Sequence, residues 1–241
     1  MSTRLVSVII PARNESRLIC QTLDRVLNAA RLLQPITTEV IVVDNASTDG
    51  TWEILQTYAA NHNIIPLQLD DLGAARARNH GRAKASGRIL VFIDADTQIT
   101  PDSLLRIVEH CETGGVEAGI TRLAGLDGGI RARIWWSFWD HVRRLPLPRA
   151  KAMPALMFCT ADVFDEFGPF DEMVAIGEEW PILASLYRCR PRCFVYDRSI
   201  TAFSSSRRMQ MQPFGYSRTF LKYVWAILHI SGRRHFTDEI R

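Results

Sequence analysis

The apolar positions in the N-terminal half of the chain follow two periods in turn, which predicts alternating strands and helices. Short continuous apolar runs are typical of buried strands, and apolar residues three or four apart are typical of amphipathic helices. The strand-like runs are Leu5–Ile10, Glu39–Val43, Ile64–Leu69 and Arg88–Ile93. The helical segments are Glu15–Leu33, Thr51–Ala60, Gly73–Ala85 and Pro101–Cys111. This alternation predicts an α/β fold with a parallel sheet and helices on both of its faces.

The pattern is less regular in the C-terminal half. It predicts a strand around Val116–Leu123, a helix at Pro181–Tyr187 and a strand at Arg192–Tyr196. An aromatic and basic segment occupies Ile130–Leu145, and an amphipathic helix is predicted from Gly215 to Gly232. Between these elements come an apolar run at Met157–Phe164 and a turn at Gly168–Glu172.

Ligands of open parallel sheets bind beyond the carboxyl ends of the strands, so the residues that follow each strand are informative. The first strand is followed by the segment Pro11–Glu15, which contains no glycine. The G-x-G-x-x-G fingerprint is therefore absent there, and no G-x-x-x-x-G-K-[ST] motif occurs in the sequence. A nucleotide would have to be bound without either glycine-rich loop.

Three aspartates follow two of the predicted strands: Asp44 after the second, and Asp94 and Asp96 after the fourth. In extended backbone, residues two apart face the same side, so Asp94 and Asp96 are predicted to point at one cation. Carboxylate oxygens suit Mg²⁺ and Mn²⁺, whose coordination is often completed by substrate phosphates. Taken alone, a D-x-D can be a polar turn, and Asp44 can be a helix N-cap. Their shared position at one sheet edge favours a ligand site.

Four segments, in this order and spacing, resemble the N-terminal signatures of the family 2 glycosyltransferases: Pro11–Glu15, Asp44–Thr51, Gly73–Gly81 and Phe92–Asp96. The resemblance continues more weakly through Gly168–Glu172 and Gly177–Trp180. It implies a GT-A type αβα sandwich with a mostly parallel central sheet. It also implies an inverting enzyme that moves a sugar from a nucleotide-diphosphate sugar to an acceptor hydroxyl, with Mn²⁺ or Mg²⁺ as cofactor.

On this resemblance the chain is a single domain over residues 1–241, with a nucleotide-sugar half at 1–112, an acceptor half at 113–213 and a C-terminal helix at 214–241. The residues that would line the nucleotide pocket are Pro11, Ala12 and Glu15. Asp44 would reach the base or ribose, and Arg78 would lie near the base and pyrophosphate. Asp94 would contact the ribose or the metal, and Asp96 would be the principal protein ligand of the metal. For Arg78 an exposed helix face is the alternative interpretation.

Glycosyl transfer needs a base for the acceptor hydroxyl and a means of stabilising the departing diphosphate. Glu178 and Glu179, which precede the predicted helix at Pro181, resemble the acidic pair of the family, whose second member is the base. Glu179 is therefore the predicted base, although the family usually has the shorter aspartate there. The alternative is that both acids only favour the helix N-terminus electrostatically.

A second anion-binding candidate is the segment Ser204–Arg208, because hydroxyl and guanidinium groups suit phosphate oxygens. Arg207 and Arg208 are predicted to assist the diphosphate, with a solvated loop as the alternative. No histidine occurs between Ala202 and Gly215, so no histidine metal ligand is assigned.

The aromatic and basic segment at Ile130–Leu145 contains Trp135, Trp136, Phe138 and Trp139 between arginines. This mixture suits a membrane interface, where aromatic rings lie at headgroup level and cations meet anionic lipid. Four interpretations remain open: peripheral membrane contact, a flap packed on the core, a homodimer surface, or a surface that binds a sugar or a lipid acceptor. The acceptor is predicted only as an unknown glycan or lipid-linked molecule.

The composition agrees with a globular protein, since 47% of the 241 residues are hydrophobic and the formal net charge is +3. Five scattered cysteines are predicted to be reduced thiols, which places the protein in the cytoplasm, with the inner face of the membrane as a further expectation. We expect neither a secretory leader nor a membrane-spanning helix. No nucleic-acid motif is present, so no nucleic-acid partner is expected. The rival functions are a sugar-nucleotide nucleotidyltransferase and a non-catalytic nucleotide-binding scaffold.

Overall fold

The computed structural model describes residues 5–126, 129–150, 154–174, 176–210 and 214–228. The strands of this part of the chain are β1 (Leu5–Ala12), β2 (Thr37–Asn45), β3 (Ile64–Leu69), β4 (Ile89–Ile93), β5 (Thr97–Ile99), β6 (Ala118–Gly125), β7 (Leu156–Thr160) and β8 (Phe194–Ser204). The helices are α1 (Ile19–Leu32), α2 (Thr51–Asn61), α3 (Ala74–Lys84), α4 (Ser103–Thr113), α5 (Ile130–Arg144), α6 (Ala161–Phe167), α7 (Trp180–Cys189), α8 (Arg207–Gln210) and α9 (Gly215–Leu228).

The strands form one sheet in the order β3-β2-β1-β4-β7-β6-β8-β5. The pairings among β1, β2, β3 and β4 are parallel, as is that of β6 with β8. Strand β7 pairs antiparallel with both β4 and β6, and β5 pairs antiparallel with β8. The predicted α/β fold with a mostly parallel central sheet is confirmed.

The sheet is covered on both faces, which explains why its central strands are almost continuously apolar. On one face, Val8 and Ile10 of β1 pack in a core that also contains residues of α1 and α4. On the other face, Ile9 packs in a core with residues of α6 and α7. Alternate residues of the same strand therefore enter different cores, and the result is the αβα sandwich.

Helix α3 approaches the sheet unusually closely because of Gly81. A Cβ atom at this position would lie 2.6 Å from Cγ2 of Ile9 and 3.2 Å from Cγ2 of Val43. Real Cβ atoms essentially never come as close as the first of these contacts, so a side chain here would force α3 away from the strands. The close contact fixes the position of α3, which carries Arg78 and Asn79 at the edge of the sheet.

Two predictions about local structure near this edge are wrong. Residues Asp94–Asp96 are not extended, because β4 ends at Ile93 and the Thr97 N–H donates to the Asp94 carbonyl at 3.0 Å, closing a turn. The two-residue periodicity of a strand therefore does not orient the two carboxylates. Helix α1 begins at Ile19 rather than at Glu15, since the Glu15 carbonyl accepts from the N–H of Leu18 in a turn that precedes the helix.

The last core strand also differs from its prediction. A 3₁₀ turn at Pro191–Cys193 replaces the predicted start, and β8 then continues to Ser204. The polar residues Asp197 and Ser199 hid this continuation, because they form an irregularity in the β6 pairing where Asp197 Oδ1 accepts the Ser199 N–H at 2.7 Å. Strand β5 was not predicted.

The aromatic and basic segment forms helix α5, which packs against α9. Trp135 and Trp139 are buried and contact the rings of Tyr216 and Tyr223 on α9. The predicted C-terminal helix is confirmed as far as Leu228, and its predicted end at Gly232 lies outside the described residues. Within the described residues, no helix combines the length and hydropathy required to cross a bilayer.

Candidate active site

The carboxyl ends of β1 and β2 place a buried carboxylate at the edge of the sheet. Ala12 and Asp44 are register partners in the β1–β2 pairing. Asp44 is 3% exposed, and its Oδ1 atom has no hydrogen-bond partner among the described residues. A buried carboxylate oxygen without a donor is costly, so this position is suited to a ligand that supplies an N–H or O–H group. Pro11 precedes Ala12 at the same end of β1.

Glu15 lies beside this strand end and is almost fully buried. Its backbone N–H donates to the Thr51 hydroxyl at 2.9 Å, and its Oε2 accepts from Nη2 of Arg207 at 2.8 Å. Arg207 begins α8, so this ion pair joins the segment after β8 to the end of β1. Arg208 also belongs to α8, where the structure describes only its backbone. The structure thus brings Glu15 and Arg207 together, a contact that the sequence did not predict.

Arg78 connects the two groups of acids predicted from the sequence. Its Nη2 donates to Asp94 Oδ1 at 2.5 Å, and its Nη1 forms a short ion pair with Glu178. The guanidinium also lies over the ring of Phe170, 5.6 Å from its centroid. The exposed-face interpretation of Arg78 is therefore wrong, because the side chain is mostly buried between two carboxylates.

The side chain of Glu179 faces the part of the site that Arg78 and Asp94 occupy. Together with Arg78, Asp94 and Phe170 it lines a cavity of about 10 Å³, the space of roughly one water molecule. Glu179 is the N-cap residue of α7, yet its side chain makes no capping hydrogen bond to that helix. Its carboxylate instead points into the site, which argues against a purely helix-stabilising role.

The environment of Glu179 changes its protonation. Burial in largely apolar surroundings raises the pKa of its carboxyl from an ordinary 4.5 to about 7. The charge of Arg78 opposes the rise in pKa, and the charge of Asp94 adds to it. A carboxyl with a pKa near neutrality can accept and release a proton under physiological conditions.

Asp96 lies in the turn between β4 and β5, half-buried, and its carbonyl accepts the Ser205 N–H at 3.3 Å. The described residues contain no group of three His, Cys, Asp or Glu side chains placed to hold a metal ion. The oxygen-only set of Asp94 and Asp96 nevertheless fits Mg²⁺ or Mn²⁺, which commonly use one or two protein carboxylates together with substrate phosphates. Asp94 is paired with Arg78, and Asp96 remains the principal metal ligand that the family resemblance implies.

Two asparagines that position the site received no role from the sequence. Asn45 donates to the Asp71 carbonyl at 2.7 Å and accepts the Gly73 N–H at 2.8 Å, which shapes the entry to α3. Asn79 binds the backbone of Phe170 through both of its side-chain amide atoms. Each asparagine lies in a segment that resembles a family signature, directly after a predicted site residue, Asp44 or Arg78. That position is the feature of the sequence that could have indicated their roles.

Asp44 lies at the carboxyl end of β2, Asp94 and Asp96 follow β4, and both strands are parallel to β1 between them, so the three aspartates lie at one edge of the sheet. Glu179 shares a cavity with Asp94. The family model for glycosyl transferase family 2 matches residues 7–170, and the chain belongs to this family. It is 28% identical over 206 residues to the succinoglycan biosynthesis protein ExoO of Rhizobium meliloti, covering 79% of this chain. It is 32% identical over 177 residues to the glycosyltransferase AglE of Haloferax volcanii, covering 71% of this chain. The aligned regions span only 58% of each relative.

Solved glycosyltransferases share the fold. Residues 1–349 of S. aureus TarS, in complex with UDP-GlcNAc, superimpose with a TM-score of 0.64 at 19% identity, over 92% of this chain and 65% of the TarS 1–349 chain. The mannosyltransferase PcManGT of Pyrobaculum calidifontis, in complex with GDP-Man and Mn²⁺, gives a TM-score of 0.61 at 23% identity, over 83% of this chain and 56% of PcManGT. The chain thus combines membership of glycosyl transferase family 2 with the GT-A architecture.

Proposed function

We propose that the protein transfers a sugar from a nucleotide-diphosphate sugar to an acceptor hydroxyl, with inversion at the anomeric carbon. The observation that carries this proposal is that Glu179 and Asp94 line one cavity. A candidate proton acceptor therefore lies beside a carboxylate of the candidate metal site. A donor bound at the strand ends would present its reacting carbon between the two.

In the proposed reaction the acceptor oxygen attacks the anomeric carbon as Glu179 removes the hydroxyl proton. The bond from the anomeric carbon to the diphosphate oxygen breaks, and the nucleoside diphosphate leaves with the bonding electrons. Attack opposite the leaving group inverts the configuration. Arg78 and Arg207 supply positive charge for the diphosphate, and Glu178 orients Arg78 through their ion pair.

A divalent cation fits this site through Asp96, with Asp94 as the second carboxylate. When bound, Mn²⁺ or Mg²⁺ would neutralise charge on the departing diphosphate. Relatives support the assignment, since PcManGT is described with GDP-Man and Mn²⁺. Asp44, Pro11, Ala12 and Glu15 would line the nucleotide pocket, with the unpartnered Asp44 oxygen accepting from the base or ribose.

Donor binding should raise the melting temperature of the protein. A ligand present at about 100 times its Kd stabilises the folded state by roughly 2.7 kcal/mol, which corresponds to about 5 to 10 °C for a domain of this size. We expect such a shift with either UDP and UDP-N-acetylglucosamine or GDP and GDP-mannose, and we expect Mn²⁺ to increase it. The measurement is thermal unfolding against this panel with and without Mn²⁺.

The variant Asp44→Ala should lose most of this shift. The matched control is Asp70→Ala, which removes an exposed carboxylate just beyond the end of the neighbouring strand β3. No shift of the well-folded protein with any nucleotide would instead support a non-catalytic scaffold. An equal loss of the shift in both variants would refute the specific role of Asp44.

We further propose that the α5–α9 layer contacts the inner face of the membrane, where a lipid-linked acceptor would be met. Large apolar side chains are exposed on this layer, with Ile130 at 73%, Ile134 at 65%, Leu221 at 66% and Phe214 at 84%. Phe138 and Trp225 add two exposed aromatic rings. An exposed apolar surface of this kind in a soluble domain marks an interaction site.

The charges of the layer favour anionic lipid as the occupant. Arg131, Arg133 and Arg218 are exposed on it. The acid of α5 is Asp140, which is buried and bound by Tyr196 and Arg144, and α9 contains no acid. Each cation near an anionic bilayer contributes about 1 kcal/mol, and each apolar side chain that becomes buried adds about 1.5–3 kcal/mol.

The variant Ile134→Glu should lower binding to vesicles with about a third phosphatidylglycerol by roughly tenfold or more. The control is Leu105→Glu, which changes an exposed leucine on α4 in the same way and should bind normally. Co-sedimentation with these vesicles and with pure phosphatidylcholine vesicles measures the effect. If Ile134→Glu instead dissociates a homodimer and the protein ignores vesicles, the layer joins two copies and the membrane proposal falls.

A further inference from the structure

The side-chain amide of Asn79 forms a two-way hydrogen bond with the backbone of Phe170. Its Nδ2 donates to the Phe170 carbonyl at 3.1 Å, and the Phe170 N–H donates to its Oδ1 at 3.0 Å. The same Nδ2 also donates to Oε1 of Glu172 at 2.8 Å. An amide carries both a donor and an acceptor, so Asn79 binds this peptide unit as a neighbouring strand would.

The segment that Asn79 holds leads to the candidate base. The Asp171 N–H donates to the Glu178 carbonyl at 2.9 Å, which closes the loop between these residues. Glu179 follows at once as the N-cap residue of α7. Phe170 is buried and lines the same cavity as Glu179. Two contacts, from Asn79 to the Phe170 backbone and from Asp171 to Glu178, thus connect Asn79 to the backbone next to Glu179.

Helix α3, which carries Asn79, is itself held in place. Helix α3 sits tightly on the sheet through Gly81, and its Arg78 binds Asp94 at 2.5 Å. Helix α3 therefore contacts Asp94 through Arg78, and through Asn79 it contacts the segment that leads to the candidate base. A rigid element that contacts both reacting sides can set the distance between them.

We propose that Asn79 is a positioning residue, which holds Glu179 at the distance from the donor that proton removal requires. This inference rests on the proposed role of Glu179 as the base. Asn79 itself touches neither substrate nor Glu179. Its effect should therefore appear in the rate of the chemical step and not in donor binding.

The test compares Asn79→Ala and Asn79→Asp with the wild type. Asn79→Asp keeps the size and the acceptor atom but places an oxygen against the Phe170 carbonyl, so it remains informative if the alanine variant folds poorly. The readout is donor hydrolysis, with water as the acceptor, using whichever of UDP-N-acetylglucosamine and GDP-mannose raises the melting temperature. We expect kcat to fall by about 10- to 100-fold, with KM for the donor changed by less than about twofold.

The matched control is Arg82→Gln, which breaks a different anchor of α3, the 2.9 Å ion pair with Asp165 of α6. It should leave kcat unchanged. Hydrogen exchange supplies a readout independent of turnover, since the Phe170 amide loses its acceptor in Asn79→Ala and should exchange faster there and not in the control. Unchanged exchange, or a kcat equal to that of the wild type, overturns the proposal. If Glu179→Gln is itself fully active, the base assignment has failed instead.

Discussion

Replacement of Glu179 with glutamine is expected to lower the rate of sugar transfer by about 10²- to 10⁴-fold, the usual contribution of a general base. Glutamine keeps nearly the same shape but cannot accept the acceptor proton. Because the proposed donor contacts lie at the ends of β1 and β2, the affinity for the donor should change little. Turnover measured beside the nucleotide-dependent melting shift separates the two effects.

The pH dependence gives the same experiment a second readout. The carboxyl of Glu179 has its pKa raised to about 7, so it is protonated and unable to act as a base at lower pH. The wild-type rate should therefore rise with pH through this region, and Glu179→Gln should lose that dependence. Glu178→Gln is the control, because its carboxylate is held by Arg78. A lost pH dependence in Glu178→Gln alone would identify Glu178 as the base.

Replacement of Asp96 with alanine should reduce metal-dependent turnover by more than about 10³-fold, since a bound cation contributes several kcal/mol to stabilising the departing charge. The backbone contact from Ser205 should be retained, because it uses the Asp96 carbonyl, which alanine keeps. Turnover as a function of Mn²⁺ concentration, together with the melting temperature, measures both.

The matched control for this change is Asp102→Ala, which removes an exposed acid that begins α4 and pairs with Arg106 at 2.7 Å. It should be fully active. Wild-type activity of Asp96→Ala at every Mn²⁺ concentration would show that the metal role assigned to Asp96 is wrong. Restoration of activity by high Mn²⁺ alone would indicate a weakened metal site, as expected for the loss of one ligand.

The central architecture was predictable because its signals are local. The buried strands β1, β2 and β4 have unbroken apolar runs, and each is followed by polar residues that must lie at one edge. Strand β5 escaped because it has three residues and derives its stability from β8, which lies far along the chain. Its existence depends on tertiary pairing, and no periodicity of Thr97–Ile99 reveals that.

The candidate site was likewise predictable where the signal is local and not where it depends on tertiary contacts. Asp44, Asp94 and Glu179 could be selected as candidates from residue type and position. The ion pairs of Arg78 could not be predicted, because its contact with Glu178 joins residues 100 apart in the chain. The roles of Asn45 and Asn79 were also hidden, since an asparagine that binds backbone looks the same in sequence as one in a turn.

The order of the strands in the sheet differs from their order in the chain, and this limits when each part of the structure can form during synthesis. Strands β1 to β4 pair with one another and all lie before Asp94 in the chain, so they can associate before the C-terminal half is synthesised. The turn that carries Asp96 is different, because β5 completes it only when paired with β8, and Ser205 beyond β8 binds its backbone. A nascent chain that has not yet reached residue 205 can form strands β1 to β4 while lacking an ordered Asp96. The proposed sugar transfer would then become possible only when nearly the whole described domain has left the ribosome.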